Sequence, residues 1–200
     1  MKIGLFFGSF NPIHIGHMAI ANYLVEFGPI NHLWFVVTPQ NPLKRKITLL
    51  DNYQRLEMVH RAIDKDYRFW ASDIEFKLPK PNYTINTLAY LKEKYPKNDF
   101  YLIIGADNYI GLNKWKNWEI LSKEYKFLVY PRPGFDHTTI KLGPNFEFVE
   151  APLIEISSTF IRDAFANEKD IRHFLHPSVY RYISEMKFYG KDPYQRKKPI

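Results

Sequence analysis

Short apolar runs alternate along this chain with segments of helical periodicity, and this alternation limits the possible folds more than any other feature. Residues 3–7, 33–37 and 100–104 each have the length and the branched or aromatic composition of a strand that is buried on both faces. Between the first two runs, apolar residues recur at helical spacing over residues 15–27, and a Gly-Pro pair follows. A strand, a helix and a second strand within about 35 residues form a crossover unit, which implies a parallel sheet.

The same alternation continues towards the C-terminus. Helices are expected at 118–125, at 178–188 and after the capping residues Asp51, Thr84 and Ser158, and strands at 69–76, 126–130 and 146–149. We predict one α/β domain over residues 1–188, followed by a basic, flexible tail over residues 189–200. The domain is expected to be a single Rossmann-like, doubly wound parallel sheet with a C-terminal helical part, and ligands are expected at the carboxyl ends of its strands.

Composition excludes several classes of protein. Cysteine is absent from the 200 residues, which excludes thiol nucleophiles, thiolate metal sites and disulfide frameworks. Hydrophobic residues make up 46% and charged residues 24%, which is typical of a globular protein and not of a disordered chain. No apolar run approaches the roughly 18 residues of a membrane span, and the first residues lack a long apolar signal core. We expect a cytoplasmic protein without a membrane partner.

The net charge of +7 favours an anionic partner, but its distribution argues against nucleic acid. From Lys187 onwards there are five basic residues and one acid, so more than half of the surplus lies at the C-terminus. A nucleic-acid-binding protein, the main alternative from another class, should instead carry its basic residues along one face with interleaved aromatic residues. We expect no nucleic-acid partner, and the sequence leaves open whether the chain forms a homo-oligomer.

Residues 8–17, Gly-Ser-Phe-Asn-Pro-Ile-His-Ile-Gly-His, follow the first predicted strand. Gly8 permits a close approach of the backbone to a ligand, and the helix that begins near His14 directs its free amides and positive dipole towards the same place. His14 and His17 are three residues apart, so one face of the helix can present both to one phosphate, and Gly16 leaves room beside them. This pattern predicts an anion site.

Other interpretations of this segment are weaker. Two histidines near a helix start are often surface or capping residues, and a metal site would need a third ligand, which is not evident nearby. The glycine spacing matches neither the G-x-G-x-x-G dinucleotide fingerprint nor the G-x-x-x-x-G-K-[ST] phosphate loop.

A second polar segment, Ile-Ser-Ser-Thr-Phe-Ile-Arg, occupies residues 156–162. Ser157, Ser158 and Thr159 stand at a predicted helix start, where hydroxyls and amides bind phosphate oxygens. Arg162 is one turn on from Ser158 and faces the same way. The alternative is a plain Ser or Thr helix cap.

The two segments resemble, in the same order, the H-x-G-H and I-S-S-T-x-I-R signatures of the nucleotidylyltransferase superfamily. Further features resemble the bacterial nicotinate-nucleotide adenylyltransferases, and the likeness covers residues 2–188. They are Asn41-Pro-Leu-Lys44, residues 55–58, residues 83–88, residues 104–108, the W-x-x-W pair Trp115 and Trp118, and Arg132-Pro-Gly134. The chain departs from the family pattern at Phe7, where Gly is usual, and at Asn11, where Asp is frequent.

The resemblance implies a sheet of the nucleotidylyltransferase type and adenylyl transfer from ATP to nicotinate mononucleotide. The acceptor's phosphate would attack the α-phosphorus in line, giving deamido-NAD and pyrophosphate in a step of NAD biosynthesis. It also implies Mg2+ that is carried by ATP, since no cluster of carboxylates marks a dedicated metal cage. Nicotinamide mononucleotide, phosphopantetheine or a cytidylyl acceptor are the alternative substrates, and a nucleotide sensor without catalytic activity is a further alternative.

The resemblance also implies roles for individual residues. The catalytic residues would be His14, His17, Lys44 and Arg162. The ATP-binding residues would be Gly8, Ser9, Phe10, Gly16, Gly105, Asp107, Ser157, Ser158 and Thr159. The residues that bind the nicotinate nucleotide would be Asn41, Tyr83, Thr84, Asn108, Trp115 and Arg132. Among these, Trp115 can stack on the pyridine ring, whereas Tyr83 and Thr84, at a helix start, can donate to its carboxylate.

Overall fold

The computed structural model describes residues 1–39, 49–135 and 141–190. Two residues with implied roles, Asn41 and Lys44, lie outside the described residues, as do residues 191–200 of the expected tail. Within the described ranges, every helix is too short or too polar to cross a membrane.

Six parallel strands form one sheet in the described part of the chain. They are β1 (Lys2–Gly8), β2 (His32–Val37), β3 (Phe69–Ser72), β4 (Asp99–Gly105), β5 (Lys126–Tyr130) and β6 (Phe146–Phe148). Their order across the sheet is β3-β2-β1-β4-β5-β6, and every neighbouring pair is parallel. This is the strand order of a doubly wound Rossmann fold, so the predicted fold class is confirmed.

The α-helices of the described ranges lie between and after these strands. They are α1 (Ile15–Phe27), α2 (Asn52–Ile63), α3 (Thr84–Lys94), α4 (Ala106–Ile110), α5 (Trp118–Glu124), α6 (Ser158–Ala166) and α7 (Pro177–Glu185). A helix that links two parallel strands runs back along them, so it begins at the carboxyl edge of the sheet. The starts of α1 and α3 therefore face the same edge.

Helices cover both faces of the sheet. Side chains alternate along β1, so Ile3 and Leu5 belong to one apolar core, whereas Phe6 belongs to the other. The core around Phe6 is completed by α1, α2, α6 and α7, and the opposite core is completed by α3, α4 and α5. Each fully buried apolar side chain in these layers contributes about 1.5–3 kcal/mol to folding.

The strand order reverses at β1, and a crevice is expected at that point. The chain leaves β1 towards β2 on one side and returns to β4 on the other, and Phe6 of β1 lies opposite both Phe35 and Ile103. Ligands of doubly wound folds bind at this point, outside the carboxyl ends of the two strands. Gly8 ends β1 and Gly105 ends β4, so both flank the crevice.

Two of the three expected helix caps are displaced by one residue. Asp51 caps α2 as predicted, and its Oδ1 accepts the backbone N–H two residues on, at 2.8 Å. The expectation that Thr84 and Ser158 cap helices was wrong, because each is already the first helical residue. The residues before them, Tyr83 and Ser157, have the extended backbone that a cap requires.

Two other segments differ from expectation. The strand expected over residues 69–76 ends at Ser72, and Ile74–Phe76 forms a 3-10 turn. The last helix, α7, begins one residue earlier and ends three residues earlier than the expected range of 178–188. Tyr189, which was expected in the tail, lies against the domain with its ring centroid 6.3 Å from that of Phe165.

Candidate active site

The loop after β1 folds back on itself, and Gly8 makes this possible. Phe10 has a φ of +45°, and its buried ring occupies the space beside position 8, where an added Cβ would come 2.8 Å from the ring. The same ring meets the imidazole of His17 edge-on, with the centroids 5.2 Å apart. The Phe10 ring therefore packs behind the imidazole of His17. Because the ring is buried, only the backbone of Phe10 can contact a ligand.

His14 and His17 lie side by side at the start of α1, as their spacing predicts. Their ring centroids are 3.7 Å apart, with 31° between the ring planes. The backbone N–H of His14 donates to Nδ1 of His17 at 3.3 Å. Because Nδ1 accepts, the proton of the neutral His17 ring lies on Nε2, which is thus a hydrogen-bond donor. The space beside Gly16 is filled by protein, since a Cβ there would lie 3.0 Å from Nδ1 of His14 and 3.3 Å from Cγ2 of Ile154.

Both imidazoles are neutral at neutral pH. Burial, helped by the positive charge of Arg132, lowers the pKa of His14 to about 4. Burial also holds the pKa of His17 well below its usual value, and protonation of His14 and the positive charge of Arg132 lower it further. The positive charge of Arg132 beside the rings favours an anionic ligand, which would raise both pKa values.

Arg132 and Asp107 form an ion pair at the carboxyl ends of β4 and β5. Nε of Arg132 lies 3.5 Å from Oδ1 of Asp107. Gly105 leaves room for the pair, because a Cβ there would overlap the Asp107 carboxylate and lie 2.9 Å from Cγ of Arg132. The charge of Arg132 lowers the pKa of both histidines, so its guanidinium lies near the imidazoles. From there it can bind a phosphate group of a nucleotide.

The second polar segment docks directly onto the loop of the first. The hydroxyl of Ser158 donates to the carbonyl of Pro12 at 2.8 Å, across 146 residues of sequence. Nη1 of Arg162 donates to the carbonyl of Asn11 at 2.9 Å, and its Nη2 donates to Oγ1 of Thr159 at 3.2 Å. The expected convergence of the two segments is confirmed, and the start of α6 lies beside the start of α1.

The start of α3 and the segment before α5 form a second cluster. Nζ of Lys116 lies 4.4 Å from the ring centroid of Tyr83, which caps α3. Trp115 precedes Lys116 and is partly buried against the core of that face. An aromatic ring with a helix N-terminus and a lysine beside it can bind a flat ring that carries an acid group.

A cavity of about 600 Å³ lies beside Arg132. Its other lining residues follow β5 or lie at and after the end of β6: Pro131, Gly134, Phe135, Phe148, Glu150, Ala151 and Leu153. Its volume is in the range of small-molecule sites, and its walls combine aromatic groups with one guanidinium. The cavity can therefore accept the aromatic part of a nucleotide whose phosphate lies at Arg132.

The comparisons with known proteins agree with this geometry. Residues 5–164 match the model of the cytidylyltransferase-like family. Relatives from Flavobacterium johnsoniae, 49% identical over 96% of this chain and all of theirs, and from Bacteroides fragilis, 53% identical over 91% and 90%, are both named "Probable nicotinate-nucleotide adenylyltransferase". The chain belongs to this family, among the nicotinate-nucleotide adenylyltransferases.

Solved structures confirm the fold of this adenylyltransferase family for the chain. Plasmodium falciparum nicotinic acid mononucleotide adenylyltransferase complexed with NaAD superposes with a TM-score of 0.78, at 23% identity, over 94% of this chain and 97% of the other. The same protein complexed with APC superposes with a TM-score of 0.75, at 22% identity, over 94% and 96%.

The residues with implied roles fall into two groups in this adenylyltransferase. The first group, which we call the phosphate site after its predicted ligand, consists of Gly8, Ser9, Phe10, His14, Gly16, His17, Gly105, Asp107, Arg132, Ser157, Ser158, Thr159 and Arg162. Arg132, whose implied role is with the nicotinate nucleotide, is placed in this group because it lies near Asp107 and the two histidines. The second group, which we call the pyridine site after its predicted ligand, consists of Tyr83, Thr84, Trp115 and the added Lys116. The ligands of both groups stay predictions. Asn108 is exposed on α4, and its implied role stays a prediction.

Sequence reasoning missed the role of Arg55, which fixes the backbone around the phosphate site by hydrogen bonds. Its side chain is fully buried and donates to five oxygens at 2.6–3.2 Å: the carbonyls of Ser9, Thr38, Pro39 and Leu50, and Oδ1 of Asn52. Burial lowers its pKa to about 10, so the group keeps its charge at neutral pH. The available signal was an arginine on the same face of α2 as Met58, Val59 and Ala62.

Glu75 was missed as well, and it supports the pyridine site. This carboxyl is 2% exposed, and its Oε1 accepts the hydroxyl of Thr87 at 2.9 Å. Its carbonyl accepts Nδ2 of Asn82 at 2.9 Å, so both flanks of Tyr83 are tied to one buried residue. Burial raises the pKa of Glu75 to about 7.

Proposed function

We propose that this enzyme transfers the adenylyl group of ATP to nicotinate mononucleotide, which yields deamido-NAD and pyrophosphate in NAD biosynthesis. The observation that carries the proposal is the docking of Ser158 and Arg162 onto the carbonyls of the loop that precedes His14. It brings two helix starts, each suited to phosphate, around one space. The acceptor is supported by the names of relatives that are about half identical over nearly the whole chain.

The proposed reaction needs no general base. An anionic phosphate oxygen of nicotinate mononucleotide forms a bond to the α-phosphorus of ATP, while the bond from that phosphorus to the bridging oxygen of the β-phosphate breaks. The electron pair of that bond leaves with pyrophosphate. Catalysis then reduces to alignment of the two nucleotides and stabilisation of charge on the phosphoryl oxygens.

The residues of the phosphate site divide this work. Nε2–H of His17, the ring of His14 and the free amides of α1 donate to the α-phosphate, where charge develops. Arg132 supplies positive charge beside them, and the start of α6 holds the β- and γ-phosphates. Neutral rings supply donors without adding buried charges to the free enzyme.

Mg2+ is proposed to enter with ATP as part of the substrate. Over the ranges that the structure describes, no group of three His, Asp or Glu side chains is placed to hold a metal ion. Asp107, the carboxylate of the phosphate site, is paired with Arg132. Phosphate and water oxygens are the ligands that Mg2+ prefers in such complexes.

Incubation with ATP, Mg2+ and either pyridine mononucleotide tests the proposal. Mass spectrometry identifies the dinucleotide, and released pyrophosphate gives the rate. We expect deamido-NAD from nicotinate mononucleotide, with a larger kcat/KM than for nicotinamide mononucleotide. Product that forms only from nicotinamide mononucleotide or only from phosphopantetheine would show that nicotinate mononucleotide is not the acceptor. ATP binding without pyrophosphate release would indicate a nucleotide sensor.

Three further expectations stay predictions. ATP as the adenylyl donor supports a place in the cytoplasm, which fractionation of cells would test. Retention on DNA or RNA at low salt tests the expected absence of a nucleic-acid partner. Sedimentation of the full chain decides between a monomer and a homo-oligomer.

A further inference from the structure

The C-terminal end of the domain touches the nucleotide loop through one hydrogen bond. The hydroxyl of Tyr189 donates to Oδ1 of Asn11 at 2.7 Å, across 178 residues of sequence. Tyr189 lies beyond residue 164, where the match to the family model ends. Neither catalysis nor nucleotide binding, as described above, uses this tyrosine.

A tight turn after α7 directs the side chain of Tyr189 towards the loop that follows β1. Lys187 and Tyr189 have φ values of +54° and +67°, which non-glycine residues adopt only when their surroundings enforce it. The backbone N–H of Phe188 donates to the carbonyl of Ile183 at 3.0 Å, and its ring is 9% exposed. Burial raises the pKa of Tyr189, so its hydroxyl keeps its proton and stays a donor across the physiological range.

Asn11 receives contacts from three distant segments. Its side chain is 3% exposed, and its Oδ1 accepts the backbone N–H of Leu50 at 3.3 Å as well as the hydroxyl of Tyr189. Its carbonyl accepts Arg162, and the next carbonyl accepts Ser158. A backbone rotation at Asn11 would therefore move the carbonyls of Asn11 and Pro12, which accept the hydrogen bonds of the second polar segment.

We propose that Tyr189 is a positioning residue: by fixing the side chain of Asn11, it holds the loop in the conformation that aligns the imidazole pair with the start of α6. The proposal rests on the proposed function only in assuming that this loop binds ATP. It gives the last residues of the domain a part in nucleotide binding, which Tyr189 plays through the side chain of Asn11.

Tyr189→Phe tests the proposal, because it removes the hydroxyl and keeps the ring. The matched control is Tyr182→Phe on α7, where the ring lies 4.4 Å from the guanidinium of Arg61. The readouts are the Kd for an ATP analogue with a non-hydrolysable α,β bridge, the KM for ATP, and the Tm. We expect Kd and KM to rise about tenfold for Tyr189→Phe, the scale of one lost hydrogen bond, and to stay within about twofold for Tyr182→Phe.

A double-mutant cycle separates positioning from general stability. In an Asn11→Ala background, Tyr189→Phe should raise the Kd by less than about twofold, because the partner is already gone. Multiplying effects in the double variant would overturn the proposal, as would equal Kd changes for Tyr189→Phe and Tyr182→Phe. If Asn11→Ala does not fold, the comparison of the two tyrosine variants decides alone.

The outcomes also distinguish this proposal from the proposed function. If the unmodified protein binds the analogue but makes no dinucleotide, the proposed function fails, and the dependence of Kd on Tyr189 can still be measured. If dinucleotide forms normally and Tyr189→Phe leaves Kd and KM unchanged, only the positioning role fails.

Discussion

The phosphate site and the pyridine site are held in place by different means. In the phosphate site, distant segments fix the backbone: Ser158 and Arg162 donate to one part of the β1 loop and Arg55 donates to another. In the pyridine site, an exposed Lys116 lies over the ring of Tyr83. Phosphoryl transfer requires fixed geometry, whereas acceptor choice depends on a few side chains that can change without disturbing the sheet.

The two sites also respond to pH in opposite directions. Burial lowers the pKa of His14 to about 4, so acidification from pH 6.5 to 4 favours the unfolded state, which binds the proton first. Burial raises the pKa of Glu75 from 4.5 to about 7, so the folded state holds a proton that the unfolded state releases. That carboxyl stabilises the fold fully below pH 4.5, and its contribution is lost as pH rises through 7.

The largest expected effect comes from the phosphate site. His17→Ala should lower kcat by at least roughly 10²-fold, because it removes a donor aimed at the α-phosphate in the transition state. Pyrophosphate release measures kcat, and His173→Ala, at an exposed position on the 3-10 turn Arg172–Phe174, is the control. A nearly normal kcat for His17→Ala would remove the central assignment.

Glu75→Gln should change the pH dependence of stability. The amide keeps an oxygen for Thr87 but does not titrate, so the variant should gain roughly 2–3 kcal/mol relative to the unmodified protein between pH 5 and pH 8. Urea unfolding at both pH values measures the difference, with the exposed Glu185→Gln as control. Parallel pH profiles for Glu75→Gln and the unmodified protein would contradict the titration assigned to Glu75.

Trp115→Ala sharpens the contrast between the sites. Loss of stacking should raise the KM for nicotinate mononucleotide about tenfold and leave the KM for ATP within about twofold. Trp70→Ala, which removes an indole that is 59% exposed on β3, is the matched control. Equal effects on both KM values would argue against a stacking role.

Lys116→Ala should have the smallest effect. An exposed ammonium contributes little binding energy, so the preference for the acid over the amide mononucleotide should fall about threefold. Steady-state kcat/KM for the two mononucleotides measures the preference, and Lys114→Ala is the control. An unchanged ratio would exclude Lys116 from acceptor choice.

Local patterns predicted the sheet and α1 well, because periodicity and a Gly-Pro stop are encoded in neighbouring residues. Position 158 was harder, since two adjacent serines can both cap a helix, and the bond from Ser158 to Pro12 exists only after folding. The turn at Ile74–Phe76 and the contacts of Arg55 depend on tertiary hydrogen bonds in the same way. The histidine pair was predictable because its partners are three residues apart.

A crystal structure with nicotinate mononucleotide and an ATP analogue that cannot be cleaved between the α- and β-phosphates tests the central claim most directly. The account predicts the α-phosphate within hydrogen-bond distance of the imidazoles of His14 and His17, with the β- and γ-phosphates at the start of α6. A triphosphate bound at only one of these helix starts, with the other facing a separate cavity, would contradict it.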